Sequence, residues 1–259
     1  MGWGTLSGVR PFQLLVQEAE EAPVGGWDFG WLAGRATEER PSWGYQGLLR
    51  IRLAAATAAL DLQTGGGEVI AGVGTRSLPP TMVATEGWPP NVEKATSLLD
   101  PLGVHVVASG TSLPFAGATF DLVSSRHPET VVWPEIARVL APNGTYFAQH
   151  VGEGTNVELS EHFLGPRERS NTRHHDVEAA LARAAGLEVR RCRNERLRVE
   201  FFDIGAVVWF LRKVIWTVPD FTVDRYRDRL WDLHLQIQRD GSFRSSTSRT
   251  LFEVRRPRA

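Results

Sequence analysis

The sequence predicts an α/β fold, a mostly parallel sheet covered by helices, on three observations. From about Ala58 onward, apolar strand-like runs alternate with helix-like ones. One of these runs, FDLVSS from Phe120, is apolar on both faces, as a sheet buried on both sides requires. The first strand of the alternation runs directly into a glycine-rich turn, LDLQTGGGEV from Leu60 to Val69, at the strand end where open parallel sheets bind ligands.

Taken in order, PFQLLVQEAEEA from Pro11 spaces its apolar residues as an amphipathic helix does. GGWDFGWLAGRATEERPSWGY then sets Trp27, Phe29, Trp31, Trp43 and Tyr45 among glycines and charges, and reads as an ordered loop or cap. A helix is expected from about Gln46, yielding to a strand at Ala58 to Leu62. The helix from Glu68 should be short or loose because Gly72 and Gly74 interrupt it. TMVATE and VHVVAS read as strands, with PNVEKATSLLDPLG as a helix between them. TVVWPEIARVLAPNG reads as a helix stopped at Pro-Asn-Gly, followed by the strand TYFAQHV, the helix DVEAALARAAG and the strand LEVRRC. After Val199 the pattern changes to the apolar, aromatic VEFFDIGAVVWFLRKVIWTVPDF, then the amphipathic helix VDRYRDRLWDLHLQIQR and a last strand in GSFRSSTSRTLFEVRRP. Two pieces are expected: residues 1–45 as helix and aromatic cap, and 46–259 as one domain with an insert at about 200–240.

Composition narrows the function. The chain has 259 residues, 42% hydrophobic, enough for one large core with embellishments. A formal charge of −1 sets up no global field for nucleic acid or membrane. Basic residues are almost all arginine, with lysine only at Lys94 and Lys213, a usage that fits a GC-rich genome. The single cysteine, Cys192, excludes an internal disulfide framework and a cysteine metal cage. MGWGTLSGVRPFQ lacks the basic start and apolar run of a signal peptide, and no apolar stretch is long enough to span a bilayer, so a soluble, cytoplasmic protein is expected.

A glycine turn after a strand lets backbone approach a ligand, and the following helix start offers free N–H groups. The next strand ends in Glu86, where a carboxylate can accept both hydroxyls of a ribose. Three segments in order resemble the class I S-adenosylmethionine-dependent methyltransferases of the type 11 kind. LDLQTGGGE is similar to their first motif through Asp61, Gly65 and Gly67; SLPFAGATFDLVSS and EIARVLAPNGTYFAQHVG resemble the segments that follow. The resemblance covers about Leu60 to Val151 and implies a Rossmann-like, seven-stranded, mostly parallel sheet. It also implies S-adenosylmethionine as cofactor and a small-molecule methyl acceptor.

Carried over by residue, it implies that Gln63, Thr64, Gly65 and Gly67 lie against the methionine part of the cofactor, and that Asp61 orients this loop. Glu86 would hold the ribose, Ser109, Gly110 and Thr111 would stand beside the adenine, and Ser125 and Arg126 would lie under the sulfonium. Two departures bear on affinity. Gln63 replaces a glycine, and positive φ there would cost about 1 kcal/mol or more. Ser109 replaces an acid, a loss of about 0.5–1.5 kcal/mol for one hydrogen bond.

His127 and His150 follow successive strands and are candidate catalytic bases, the plainer alternative for each being a histidine satisfied locally. His174 and His175 open a helix and look like capping residues, and no spacing suggests a metal site. The run RRCRNERLR alternates with acids and reads as a solvated sheet face, so no nucleic-acid partner is expected. The apolar insert could cover a ligand or meet a second copy as a homodimer. The rival readings are a non-catalytic cofactor-binding or scaffold protein and an RNA methyltransferase.

Overall fold

The computed structural model describes residues 10–26, 28–166, 168 and 171–258. The opening MGWGTLSGV and Trp27 of the expected cap lie outside them. In chain order the first elements are α1 (Phe12–Glu21), β1 (Ala36–Glu38), α2 (Tyr45–Ala55), β2 (Ala58–Leu62), α3 (Glu68–Ala71), β3 (Thr81–Glu86) and α4 (Pro89–Leu99). There follow β4 (His105–Ala108), β5 (Phe120–Arg126), α5 (Trp133–Val139), β6 (Leu140–Val151), α6 (Val157–Leu164) and α7 (His175–Ala184). The last are β7 (Glu188–Phe201), α8 (Ile204–Lys213), α9 (Arg227–Asp240) and β8 (Phe243–Arg255).

The strands are hydrogen-bonded in the order β1-β7-β8-β6-β5-β2-β3-β4. The pairings β2·β3, β2·β5, β3·β4 and β5·β6 are parallel, while β6·β8 and β1·β7 are antiparallel. Among the described residues eight strands stand where seven were expected. The additional one, β1, is three residues long and comes from the segment read as a cap loop. Such a short strand leaves no periodicity to read; it exists because Ala36, Thr37 and Glu38 find partners in Phe201, Glu200 and Val199.

The described chain forms two compact units. The larger takes the described parts of residues 40–153, 169–196 and 248–259. Its strands alternate side chains between two cores. Leu60, Val123, Tyr146 and Phe252 pack with Trp133 and Ile136 of α5 and Ala179 of α7. Ala59, Leu122 and Phe147 face the other way, against Leu49 of α2, Ile70 of α3 and Leu99 of α4. Tyr45, expected in the cap, is a core residue here: it stacks on Phe147 at 5.2 Å and its hydroxyl donates to the Ser125 carbonyl at 2.9 Å. The expected helix stop at Pro-Asn-Gly is instead part of β6, where the register against β5 shifts between Phe120 and Leu122 and Asn143 takes φ 66°. The helix ends earlier, at Val139.

The smaller unit takes the described parts of residues 1–39, 154–168 and 197–247. Phe12, Leu15, Val16 and Ala19 of α1 pack with α8, almost every residue of which is buried. Leu159 and Phe163 of α6 join them; sequence patterning had left this helix unread. Trp31 stacks on Trp209 at 5.5 Å, and the Trp209 indole N–H donates to the Pro23 carbonyl. Phe29 and Trp31 of the expected cap and Trp209 of the expected insert are therefore packed on each other. Among the described residues no helix is long and apolar enough to cross a membrane.

Candidate functional site

β3 and β4 lie on one side of β2, and β5 and β6 on the other, so strand order reverses between β2 and β5. Ligands of open α/β sheets bind outside the carboxyl ends of strands at such a reversal. The chain places its glycine turn there. Gly65 and Gly67 adopt φ of 64° and 85°. A Cβ on Gly67 would lie 2.8 Å from Leu99 Cγ, so this position needs glycine both for its backbone and for room.

Three side chains lock the turn. Asp61 is buried and accepts from the Ser124 hydroxyl at 2.5 Å. Burial pushes its carboxyl up to about 6, with the Ser124 and Thr64 hydroxyls pulling the other way. Glu86 closes the turn from β3: one carboxylate oxygen accepts from Gly65 N at 2.8 Å, the other from Gly87 N and Trp88 N, both at 2.9 Å. Gln63 stands at φ 54°, the strained alternative anticipated for it. Its amide crosses to the segment after β5, where Nε2 donates to the Thr130 carbonyl at 2.6 Å and Oε1 accepts from Glu129 N at 2.7 Å and Thr130 N at 3.3 Å.

A cleft opens beside these groups, walled by Gln63, Gly110, Thr111, Ser125, Thr130 and Tyr146. Of the expected site residues it therefore gathers Gln63, Gly110, Thr111 and Ser125. The Ser125 hydroxyl donates to the Leu62 carbonyl at 2.9 Å, and that of Ser109 turns to the Ser112 carbonyl at 2.7 Å. Arg126 is exposed at the end of β5. Tyr146, Thr130 and Glu135 were missed by sequence reading. Glu135 accepts from Leu113 N at 3.0 Å and from Arg138, which holds its carboxyl down at about 2.

The two histidines part company. His127 follows β5 at φ 59°, and its placement is read from a chain of donors. The Trp43 indole can only donate, so Gln149 Oε1 accepts from it at 2.8 Å. Gln149 Nε2 then donates to His127 Nε2 at 2.8 Å, which leaves the His127 proton on Nδ1. Burial, and after it the charges of Arg249 and Arg126, hold this imidazole well below the usual histidine range, so it is neutral at pH 7. His150, expected on the open edge of the sheet, is fully buried instead. It lies on the same face of β6 as Tyr146, four residues away, and joins the core against Trp133 and Phe252. Its Nδ1 donates to Glu178 at 3.0 Å and its Nε2 accepts from the Tyr146 hydroxyl at 2.9 Å. His174 caps α7, accepting from Asp176 N at 3.3 Å.

Residues 60–148 match the methyltransferase domain family. Over these residues the chain carries a methyltransferase domain. Solved structures share the fold of this chain. A candidate methyltransferase from Bacillus halodurans C-125 is 16% identical with a TM-score of 0.56, over 81% of this chain and 98% of that one. The YcgJ protein from a Bacillus is 17% identical with a TM-score of 0.56, over 83% and 99%. The [4+2]-cyclase SpnF is 18% identical with a TM-score of 0.52, over 95% and 93%. No curated protein sequence matches the chain.

The polar groups of this site are of the kind a nucleoside cofactor needs: a glycine turn able to approach it closely, and a carboxylate at the end of the next strand, hydrogen-bonded to the turn. The space does not yet fit. The cleft has room for about 20 Å³, one water molecule, against the roughly 300 Å³ or more of small-molecule sites.

Proposed function

We propose that this methyltransferase binds S-adenosylmethionine at the β2/β5 reversal and transfers its methyl group to a small-molecule acceptor. The observation that carries the reading is the Glu86 carboxylate, fixed by the backbone of Gly65 at the end of the neighbouring strand. A ribose diol approaching there meets an acceptor already aimed and desolvated. The cofactor supplies an electrophilic methyl group; the chain's task is to hold the acceptor in line with it and keep water out.

A base is required only if the acceptor carries a proton at working pH. We assign that role to neither histidine as they stand. His127 offers a donor at Nδ1, since its Nε2 lone pair is taken by Gln149, and would orient an oxygen of the acceptor. His150 supports Tyr146 through the Glu178 pair and acts on the shape of the cleft wall. Asp61, bonded to Ser124, keeps the turn in place.

Mass spectrometry of freshly purified, denatured protein for a copurified nucleoside, together with calorimetric titration with S-adenosylhomocysteine, tests the reading. Binding with one-to-one stoichiometry supports it. No binding at millimolar ligand would instead favour a non-catalytic scaffold, the reading to which Gln63 and the narrow cleft lend support.

A further inference from the structure

We propose that Gln63 is a latch: its side-chain amide holds the cleft shut, and its release sets the affinity of the domain for the cofactor. This rests on the cofactor assignment above. Four observations carry it. Gln63 sits at φ 54°, a conformation that costs a residue with a Cβ about 1 kcal/mol or more, and that strain persists because the side chain is tied at its far end. The tie uses both halves of the amide, oxygen to Glu129 N and Thr130 N, nitrogen to Thr130 O. Gln63 and Thr130 both line the cleft, so this tie is part of its wall. Finally, that space is narrow, about 20 Å³, so releasing the tie on the Gln63 side would widen it.

The far side of the latch is itself anchored. Arg173 donates to the carbonyl of Pro128 at 3.0 Å and to that of Glu129. When Gln63 lets go, residues 128–130 therefore keep their path, and the Glu129 N–H and Thr130 carbonyl turn toward the cleft as a donor and acceptor pair. The amide of Gln63 occupies the position of a group with complementary polarity, such as the amino-acid end of the cofactor. Binding then exchanges one set of hydrogen bonds for another, and the wild-type protein binds more weakly by the cost of breaking the first set.

The test uses the full chain, calorimetric titration with S-adenosylhomocysteine, and two variants. Gln63→Gly removes both strain and tie. Gln63→Asn keeps a residue at ease with positive φ but too short to reach Glu129, which guards against a variant that fails to fold. Each is expected to bind at least about tenfold more tightly than wild type, about 1.4 kcal/mol. An independent reading is amide hydrogen exchange at Glu129, slow in wild type and fast in Gln63→Asn without ligand. Failure of either variant to bind more tightly than wild type, or unchanged exchange at Glu129, would overturn the latch while leaving the cofactor assignment intact. Failure of all three proteins to bind at millimolar ligand would overturn the assignment, and the latch with it.

Discussion

Glu86 and Asp61 are two carboxylates of one turn with opposite relations to their surroundings. Glu86 accepts three backbone N–H bonds, so replacing it strips the turn of its anchor as well as the ribose of its acceptor. Glu86→Ala should weaken cofactor binding by about 1.5–3 kcal/mol, the usual worth of hydrogen bonds to a charged group. Calorimetry on a variant shown to be folded by circular dichroism checks this, and an unchanged affinity refutes the ribose role. Asp61 is buried with its carboxyl raised from 3.8 to about 6. Between these values the folded chain keeps a proton that the unfolded chain has released, so stability falls as pH rises through the window and the loss is complete above it. The shift corresponds to about 3 kcal/mol. Asp61→Asn removes the titration while retaining an acceptor for Ser124. Its unfolding free energy relative to wild type should therefore improve by about 3 kcal/mol from pH 4 to pH 7 in urea titrations. A difference that is the same at both pH values would contradict the burial of this carboxyl. At this scale placement was legible: Asp61 lies in β2, Gly65 and Gly67 in the turn after it and Glu86 at the end of β3, because they are contiguous with the strands that position them. Gln63 was recognised as a departure, but its partners at Glu129 and Thr130 are 66 and 67 residues away in the chain, and no local pattern connects them.

Among the elements, α8 shows how packing selects a residue against propensity. Gly205 lies in the first turn of this helix, and a Cβ there would come within 2.7 Å of the Leu15 carbonyl oxygen of α1. The neighbour is backbone and cannot rotate away, so Gly205→Ala should cost about 1–3 kcal/mol, although alanine is the better helix former. Chemical denaturation measures it; a neutral or stabilising result would mean that α1 and α8 do not approach this closely. Asp203 caps the same helix, accepting from Ala206 N at 2.8 Å, and also faces Arg35 at 3.5 Å. Arg35 in turn pairs with Glu18 of α1 at 2.7 Å and covers the Trp31 ring at 4.1 Å. A segment read as an ordered loop or cap is thus fastened by ion pairs, ring contacts and the ladder of β1. Clostripain, an arginine-specific protease that accepts the Arg40–Pro41 bond, should accordingly spare Arg35 and cut first at Arg40, which is exposed and outside any strand. Cleavage at Arg35 at a comparable rate, read by mass spectrometry, would show that the fastening is weaker than its contacts indicate.

For the whole molecule, the consequence is that residues 1–45 are not dispensable. They supply the buried face of α1 to one unit and Tyr45 to the core of the other. Deleting them uncovers Ile204, Ala206, Val207, Trp209 and Leu211 and unstacks Phe147. The truncated chain should lose soluble yield and gain binding of a hydrophobic dye, and a fully soluble, dye-silent product would contradict this. The sequence alone determined the parallel core, the glycine turn, the acid at the next strand end and the order of elements from α2 to α7 apart from α6. Each of these is written locally, in apolar periodicity or in residues that special backbone angles demand. Only the tertiary structure decided the rest. The edge strand β1 exists through its pairing partners. The path of His150 into the core follows from which face of β6 meets α5 and α7, and the tie of Gln63 to residues 129 and 130 follows from an amide meeting a distant backbone. These are matters of which surfaces come together, and a single chain's pattern records the surfaces without recording their partners.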